Sequence, residues 1–158
     1  MTLVKVISGG QNGVDQAGLH AAAAVGIPTG GYAPHGYRTL DGPNLLLKTL
    51  YGLEETVETG YPARTRLNVL SADGTLQIAK DFNSAGECLT TKLVLKNNKH
   101  RLALHPALNP DPQLVINWLR DKDITVLNVA GNSLKTWPDA FDWTYPFLVE
   151  VFRRVNVE

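Results

Sequence analysis

The residues best placed to do chemistry lie in glycine-rich polar turns. Ser8-Gly9-Gly10-Gln11-Asn12-Gly13-Val14-Asp15 follows a short apolar run, Leu3-Val4-Lys5-Val6-Ile7, and precedes an alanine-rich stretch at residues 16–25. A strand, a turn and a helix in that order gather the first helical amides, which lack partners inside the helix. The helix dipole adds partial positive charge at the same spot. Glycine lets the turn take positive φ and lets a ligand lie against the backbone. The chemistry such a junction offers is the binding of phosphate or another oxyanion. The polar side chains of Ser8, Gln11, Asn12 and Asp15 add more grip than a bare turn requires. It is neither of two common phosphate loops. The glycines at 9, 10 and 13 do not spell Gly-x-Gly-x-x-Gly, and no lysine lies between residues 6 and 47 to complete a Walker loop.

Two further turns have the same character. Asn83-Ser84-Ala85-Gly86-Glu87 leads into an apolar-periodic stretch with Leu89, Leu93 and Val94, and Ala130-Gly131-Asn132-Ser133 closes the run Ile124-Thr125-Val126-Leu127-Asn128-Val129. Asp15 either complements the helix dipole or touches the ligand. Arg64 either clamps an anion with its two-pronged guanidinium or pairs with Glu54, Glu55 or Glu58. The four histidines, His20, His35, His100 and His105, show no metal-binding spacing. Cys88 is either a metal ligand or a small apolar residue. No tightly bound metal is expected. Trp118, Trp137 and Trp143 read as core. No Ser-His-Asp or Cys-His set is recognisable by motif, so binding is favoured over catalysis.

The elements that must position these turns alternate between strand and helix. After the first helix, Gly26-Ile27-Pro28 ends it and Thr29-Gly30-Gly31-Tyr32-Ala33-Pro34 reads as a second strand, which makes a parallel, right-handed βαβ unit. Residues 35–43 read as an exposed loop, and Asn44 as the cap of a brief helix carrying Leu45, Leu46, Leu47 and Leu50. Leu67-Asn68-Val69-Leu70-Ser71 and Thr75-Leu76-Gln77-Ile78-Ala79 read as strand-like runs around a tight turn at Asp73-Gly74. Arg101-Leu102-Ala103-Leu104-His105 is another short strand. Asp111-Pro112 reads as a helix cap and first helical residue, with Leu114, Val115, Trp118 and Leu119 on the buried face. The last helix carries Phe141, Tyr145, Leu148, Phe152 and Val155, and Pro146 places its start near Trp143. The alternation implies an α/β fold: a doubly wound, mostly parallel sheet with helices on both faces. Ligands of such sheets sit beyond the carboxyl ends of the strands, where the three polar turns would converge.

Composition narrows the partners. A chain of 158 residues with 44% apolar content is one globular domain by size. Fifteen basic side chains balance fifteen acidic ones, so a protein built to hold long nucleic acid by counterion release is disfavoured. No apolar run approaches the roughly 20 residues that span a bilayer. A single cysteine suits a reducing compartment, and a cytoplasmic location is expected.

The turns also resemble a known family. Ser8-Gly9-Gly10-Gln11-Asn12-Gly13-Val14-Asp15 is similar to the signature Ser-Gly-Gly-Gln-Thr-Gly-x-Asp of the molybdenum carrier proteins, a Rossmann-like branch of the SLOG superfamily that also contains phosphoribohydrolases. Gly30-Gly31-Tyr32-Ala33-Pro34-His35-Gly36, Asp41-Gly42, Glu55-Thr56, Tyr61, Arg64-Thr65, Asn68-Val69, Ser71-Ala72-Asp73-Gly74-Thr75-Leu76 and Leu127-Asn128-Val129-Ala130-Gly131 resemble later segments of that family. The resemblance implies a single Rossmann-like domain in a homo-oligomer, a dimer or tetramer. It also implies a phosphate-bearing small molecule, either molybdenum cofactor or a nucleotide. The binding set it implies is Ser8, Gly9, Gly10, Gln11, Asn12, Gly13, Asp15, Arg64, Ser84, Gly86, Thr90, Gly131 and Asn132. Two departures stand out. Asn12 replaces a threonine, and Ser84-Ala85-Gly86-Glu87-Cys88-Leu89-Thr90 stands where the family reads Ser-Gly-Gly-Thr-x-Leu-Thr. Glu87 thus puts a carboxyl where a hydroxyl is expected. The Pro-Gly-Gly-x-Gly-Thr-x-x-Glu loop of the phosphoribohydrolases is absent, so nucleotide hydrolysis rests on Asp15, Glu87 and Arg64 alone; it and nucleotide sensing are the alternative functions.

Overall fold

Short β-branched and apolar runs form the parallel sheet, and the stretches between them form its helical cover. The computed structural model describes residues 3–157. In chain order the elements are β1 (Lys5–Ile7), α1 (Val14–Val25), β2 (Thr29–Gly30), β3 (Tyr32–Ala33), β4 (Arg38–Thr39), β5 (Gly42–Pro43), α2 (Leu46–Thr49), β6 (Glu54–Glu55), α3 (Tyr61–Ser71), β7 (Gly74–Ile78), α4 (Ala85–Lys96), β8 (His100–Leu104), α5 (Pro112–Asp121), β9 (Val126–Gly131) and α6 (Ala140–Val155). The main sheet has the order β2-β1-β9-β7-β8, with every neighbouring pair parallel. The chain winds outward from β1 to β2 and from β7 to β8, then returns to place β9 at the centre. Right-handed crossovers put α1 and α5 on one face and α4 on the other. The packing agrees: α6 lies against α1 and α5, and α3 lies against α4. This is the doubly wound α/β architecture of a Rossmann-like fold.

The two faces of the sheet differ in kind. Leu76, Ile78, Leu127 and Val129 point toward one face and join Val115, Leu119, Leu148 and Phe152 in the main core. Thr75, Gln77 and Asn128 point the other way and are equally buried. Register places Thr75 opposite Asn128, whose Nδ2 donates to Thr75 Oγ1 at 3.1 Å. A parallel sheet covered on both sides usually carries apolar residues on both. Here the face under α3 and α4 is polar.

Several local expectations change. Residues 29–34 are not one strand. Gly31 takes φ +121° and packs so closely on Ser8 that a Cβ would lie 2.4 Å from its carbonyl oxygen, which sends β2 and β3 into different sheets. Residues 35–43 hold a small antiparallel pair, β4 with β5. Asn44 does bond the Leu46 amide (3.1 Å), but of the leucines around α2 only Leu47 is buried. Leu67-Asn68-Val69-Leu70-Ser71 forms the last turns of α3, which starts with Tyr61-Pro62, and only β7 follows Asp73. The Asp73 carboxylate instead accepts from the Thr125 and Val126 amides, each at 2.9 Å. In α5, Asp111 caps as expected, but Ile116 is buried and Leu114 exposed. Helix α6 begins at Ala140, so Pro146 lies inside it. Pro146 and Asp142 share the exposed side, so the carbonyl that the proline leaves unpaired reaches water.

Gly131 ends the central strand where no side chain fits. A Cβ there would lie 1.9 Å from the Ile78 carbonyl oxygen and 2.8 Å from Val14 Cβ. Gly131→Ala should push β9 from β7 and cost about 1–3 kcal/mol of stability, read from the urea midpoint.

Candidate functional site

The three polar turns meet at the carboxyl end of the sheet, where the third is bonded to the first and to the loop that leads into the second. The turns after β1 and β9 are zipped: Val14 N donates to Asn132 O (3.2 Å) and Leu134 N to Asn12 O (3.0 Å). The Asn132 side chain reaches the loop after β7. Its Oδ1 accepts from the amides of Lys80 (2.9 Å) and Asp81 (3.0 Å), and its Nδ2 donates to Asp81 O (2.9 Å). The convergence anticipated from the sequence is therefore present, and Asn132 is its clasp.

The first turn, however, already contains an anion of its own. The Asp15 carboxylate is 4% exposed, accepts from the Gln11 amide at 3.2 Å and pairs with Arg64 Nη1 at 2.9 Å. Burial pushes the Asp15 carboxyl above the usual carboxylate range, against the opposing pull of Arg64 and of the Gln11 amide. The Gly10 amide goes to Ser8 Oγ (3.2 Å) and the Asn12 amide to Gln11 Oε1 (3.2 Å). The glycines serve packing. A Cβ on Gly10 would meet Leu47 Cδ1 at 2.8 Å, and one on Gly13 would meet Asn132 O at 2.5 Å. Gly9 carries the Arg64 guanidinium, whose Nη1 lies 1.8 Å from where a Cβ would be. Arg64 thus pairs with Asp15 rather than with a glutamate, and its Nε is buried without a partner. Glu55 accepts instead from the Gly36 amide at 3.1 Å and lies 3.0 Å from His35 Nδ1.

The second turn is arranged differently. Ser84 caps α4, its Oγ accepting from the Glu87 amide at 3.4 Å. Ser84-Ala85-Gly86-Glu87 has the spacing of a capping box, in which the glutamate side chain would turn back to the cap residue's amide. Glu87 turns inward instead. It is 5% exposed, and its Oε1 accepts from Gln77 Nε2 at 3.2 Å. Burial pushes the Glu87 carboxyl up to about 7; the Gln77 bond opposes the rise and the neighbouring Asp15 charge adds to it. Gln77 is itself fixed, its Oε1 accepting from Arg101 Nε (2.8 Å) and Thr91 Oγ1 (3.1 Å).

These groups surround a cavity of about 600 Å³ between α3, α4 and the polar face of the sheet. Its size is that of a small-molecule site. Of the residues singled out in the sequence, Gly9, Gln11, Asp15, Arg64, Ser84, Gly86, Thr90 and Gly131 line it. Ser8, Gly10, Asn12, Gly13 and Asn132 stand behind that lining and hold the turns. Asn12, for example, donates to Asp41 Oδ2 (3.0 Å) and accepts from the Leu40 amide (2.9 Å). Cys88 is exposed, and His20 stacks on Tyr51 at 5.0 Å. Trp137 is buried in the main core, against which Trp118 and Trp143 pack. No group of three or more His, Cys, Asp or Glu among the described residues is placed to hold a metal, and no helix among them is long and apolar enough to cross a membrane.

The cavity also uses residues outside the anticipated binding set: Asn68, Glu87, Asn128, Lys135 and Thr136. Asn68 additionally brackets Tyr32, accepting from its amide (2.9 Å) and donating to its carbonyl (3.0 Å). A sequence signal for Asn128 existed. A polar residue in the middle of a central parallel strand, with Thr75 and Gln77 alternating in its neighbour, marks a face that something polar must fill.

Comparison with known proteins fits this geometry. The sequence profile described as the circularly permutated YpsA SLOG family matches residues 6–152. None of the curated proteins compared with the chain matches it. A crystal structure described as "Putative molybdenum carrier protein", from Syntrophus aciditrophicus SB, superimposes with a TM-score of 0.85 at 32% identity, over 96% of this chain and 95% of that one. The chain belongs to the circularly permuted YpsA family of SLOG proteins.

Proposed function

We propose that the cavity binds a small molecule through a phosphate group seated at the N-terminus of α4. The candidates are a pterin of the molybdenum cofactor type, by analogy with the carrier named above, and a nucleotide. The carrying observation is the open second turn. The amides of Ala85 and Gly86 come too early in α4 for intrahelical partners, both residues line the cavity, and a Cβ on Gly86 would meet nothing within 4 Å. The unpartnered Nε of Arg64 and the ammonium of Lys135 supply donors for the phosphate or its ester. The first turn, filled by Asp15, serves to fix Arg64 rather than to take the phosphate.

The test is titration calorimetry with AMP on the wild type and on Gly86→Asp. The substitution meets no steric barrier, and its carboxylate would compete for the amides that the phosphate needs. AMP affinity should fall at least about tenfold, equivalent to about 1.4 kcal/mol, with thermal stability unchanged or raised. Equal affinity in the two proteins would contradict the seat at α4.

A second reading, hydrolysis of a nucleoside monophosphate, is favoured by Glu87. A carboxyl raised to about 7 is suited to exchange a proton near neutral pH. Release of free adenine from AMP, lost in Glu87→Gln, would establish it.

A further inference from the structure

Glu87 is an anomaly for a phosphate seat, because it lines the same cavity as Ala85 and Gly86, whose amides would hold the anion. Its surroundings leave little to neutralise it. Asp15 approaches from α1 with the same charge, and Arg64 from α3 is committed to Asp15 at 2.9 Å. From the sheet side Gln77 contributes one neutral bond, with Arg101 of β8 behind it holding the opposite end of the amide. Asn132 contributes a neutral donor from the turn after β9, and Lys135 lines the same cavity. An ionised Glu87 beside a bound dianion would therefore be repelled by both the ligand and Asp15. A neutral Glu87 removes one of those charges and adds an O–H donor.

We propose that Glu87 holds the ligand's oxyanion as a neutral carboxylic acid, so that each anion bound at α4 brings one proton with it. The step is a protonation only. The ionised carboxylate takes a proton from the solvent, and the resulting O–H donates to an oxygen of the anion, with no covalent bond to the ligand formed or broken. The carboxyl's position near neutrality keeps that proton accessible. The inference rests on the seat proposed above, and it makes Glu87 a residue that selects the charge state in which the site accepts its ligand.

Sulfate is the probe, because it neither gains nor loses a proton near neutral pH, whereas a phosphate monoester titrates near pH 6. Wild-type affinity for sulfate should be level below about pH 6 and fall about tenfold per pH unit above about pH 7. Calorimetry at about pH 8, in two buffers of different ionisation heat, should show uptake of about one proton per sulfate. Glu87→Gln keeps a neutral donor and Glu87→Thr removes the acid. Either variant, whichever folds, should bind sulfate with no such pH dependence. Sulfate binding that is flat with pH in the wild type, or a slope that survives both substitutions, overturns the proton-coupled role and leaves the anion seat standing. Failure of both sulfate and AMP to bind at any pH overturns the seat and the proposal together.

Discussion

Replacing Arg64 with methionine should lower the unfolding free energy by about 3–5 kcal/mol, because the change strands a buried carboxylate. Asp15 is 4% exposed and has one cationic partner at 2.9 Å. Without it, the Gln11 amide must compensate the charge alone or the carboxyl must take a proton. Lysine should rescue little. The guanidinium packs against Gly9, in the space a Cβ would fill, while its Nη1 reaches Asp15, and a compact ammonium on a flexible stem does not reproduce that contact. The diagnostic measurement is a double-mutant cycle by urea unfolding near pH 7. Asp15→Asn combined with Arg64→Met should be more stable than Arg64→Met alone, because the stranded charge is gone. A loss below about 1 kcal/mol for Arg64→Met would mean that the pair behaves like an ordinary surface ion pair.

Glu87→Gln should stabilise the protein at alkaline pH by up to about 3 kcal/mol, at about 1.4 kcal/mol per unit of displacement. Burial raises this carboxyl from 4.5 to about 7, so between those values the folded state binds more protons than the unfolded state. Stability from this group is therefore fully present below about pH 4.5 and is lost as pH rises through about 7. Glutamine mimics the protonated form at every pH. The two proteins should unfold alike near pH 4.5 and diverge as pH rises, with the variant melting higher at pH 8. Parallel stability profiles over that range would show that Glu87 is not held out of water. The same substitution should flatten sulfate binding with pH, so stability and affinity report on one proton.

The parts of the fold that were legible in the sequence are those governed by local chemistry. The apolar run before Ser8, the cap at Asp111-Pro112 and the glycine turns each specify their element within a few residues. The parts that were not legible depend on distant contacts. Gly31 breaks an otherwise convincing strand because the Ser8 backbone sits against it. Residues 67–71 have a strand-like apolar content, yet Tyr61-Pro62 starts a helix that carries them, and Asn68 fastens that helix to Tyr32. Pro146 lies inside α6 rather than in its first turn, on the exposed side of a helix whose other side packs on α1 and α5.

The candidate site was legible in its members more than in their roles. The first glycine turn has the composition of an oxyanion cradle, but Asp15 turns back into it, and no spacing rule distinguishes an acid that attracts a partner from one that occupies the seat. Arg64 was legible as a cation that could clamp; its partner lies 49 residues away on another helix. Glu87 stood out because it departs from the family pattern, and its inward turn depends on Gln77 from the neighbouring strand. The run Thr75-Leu76-Gln77-Ile78-Ala79 was legible as a strand but not in its place; Thr75 and Gln77 are buried, and Gln77 bonds Glu87 and Thr91 of α4.

The decisive measurement is the position of phosphate in crystals of the protein soaked with AMP. The phosphate should lie at the amides of Ala85 and Gly86, within hydrogen-bond reach of Arg64 Nε or Lys135, while the Asp15–Arg64 pair remains intact. Phosphate seated in the turn at residues 8–13 with Asp15 displaced, or a cavity left without AMP at saturating concentration, would contradict it.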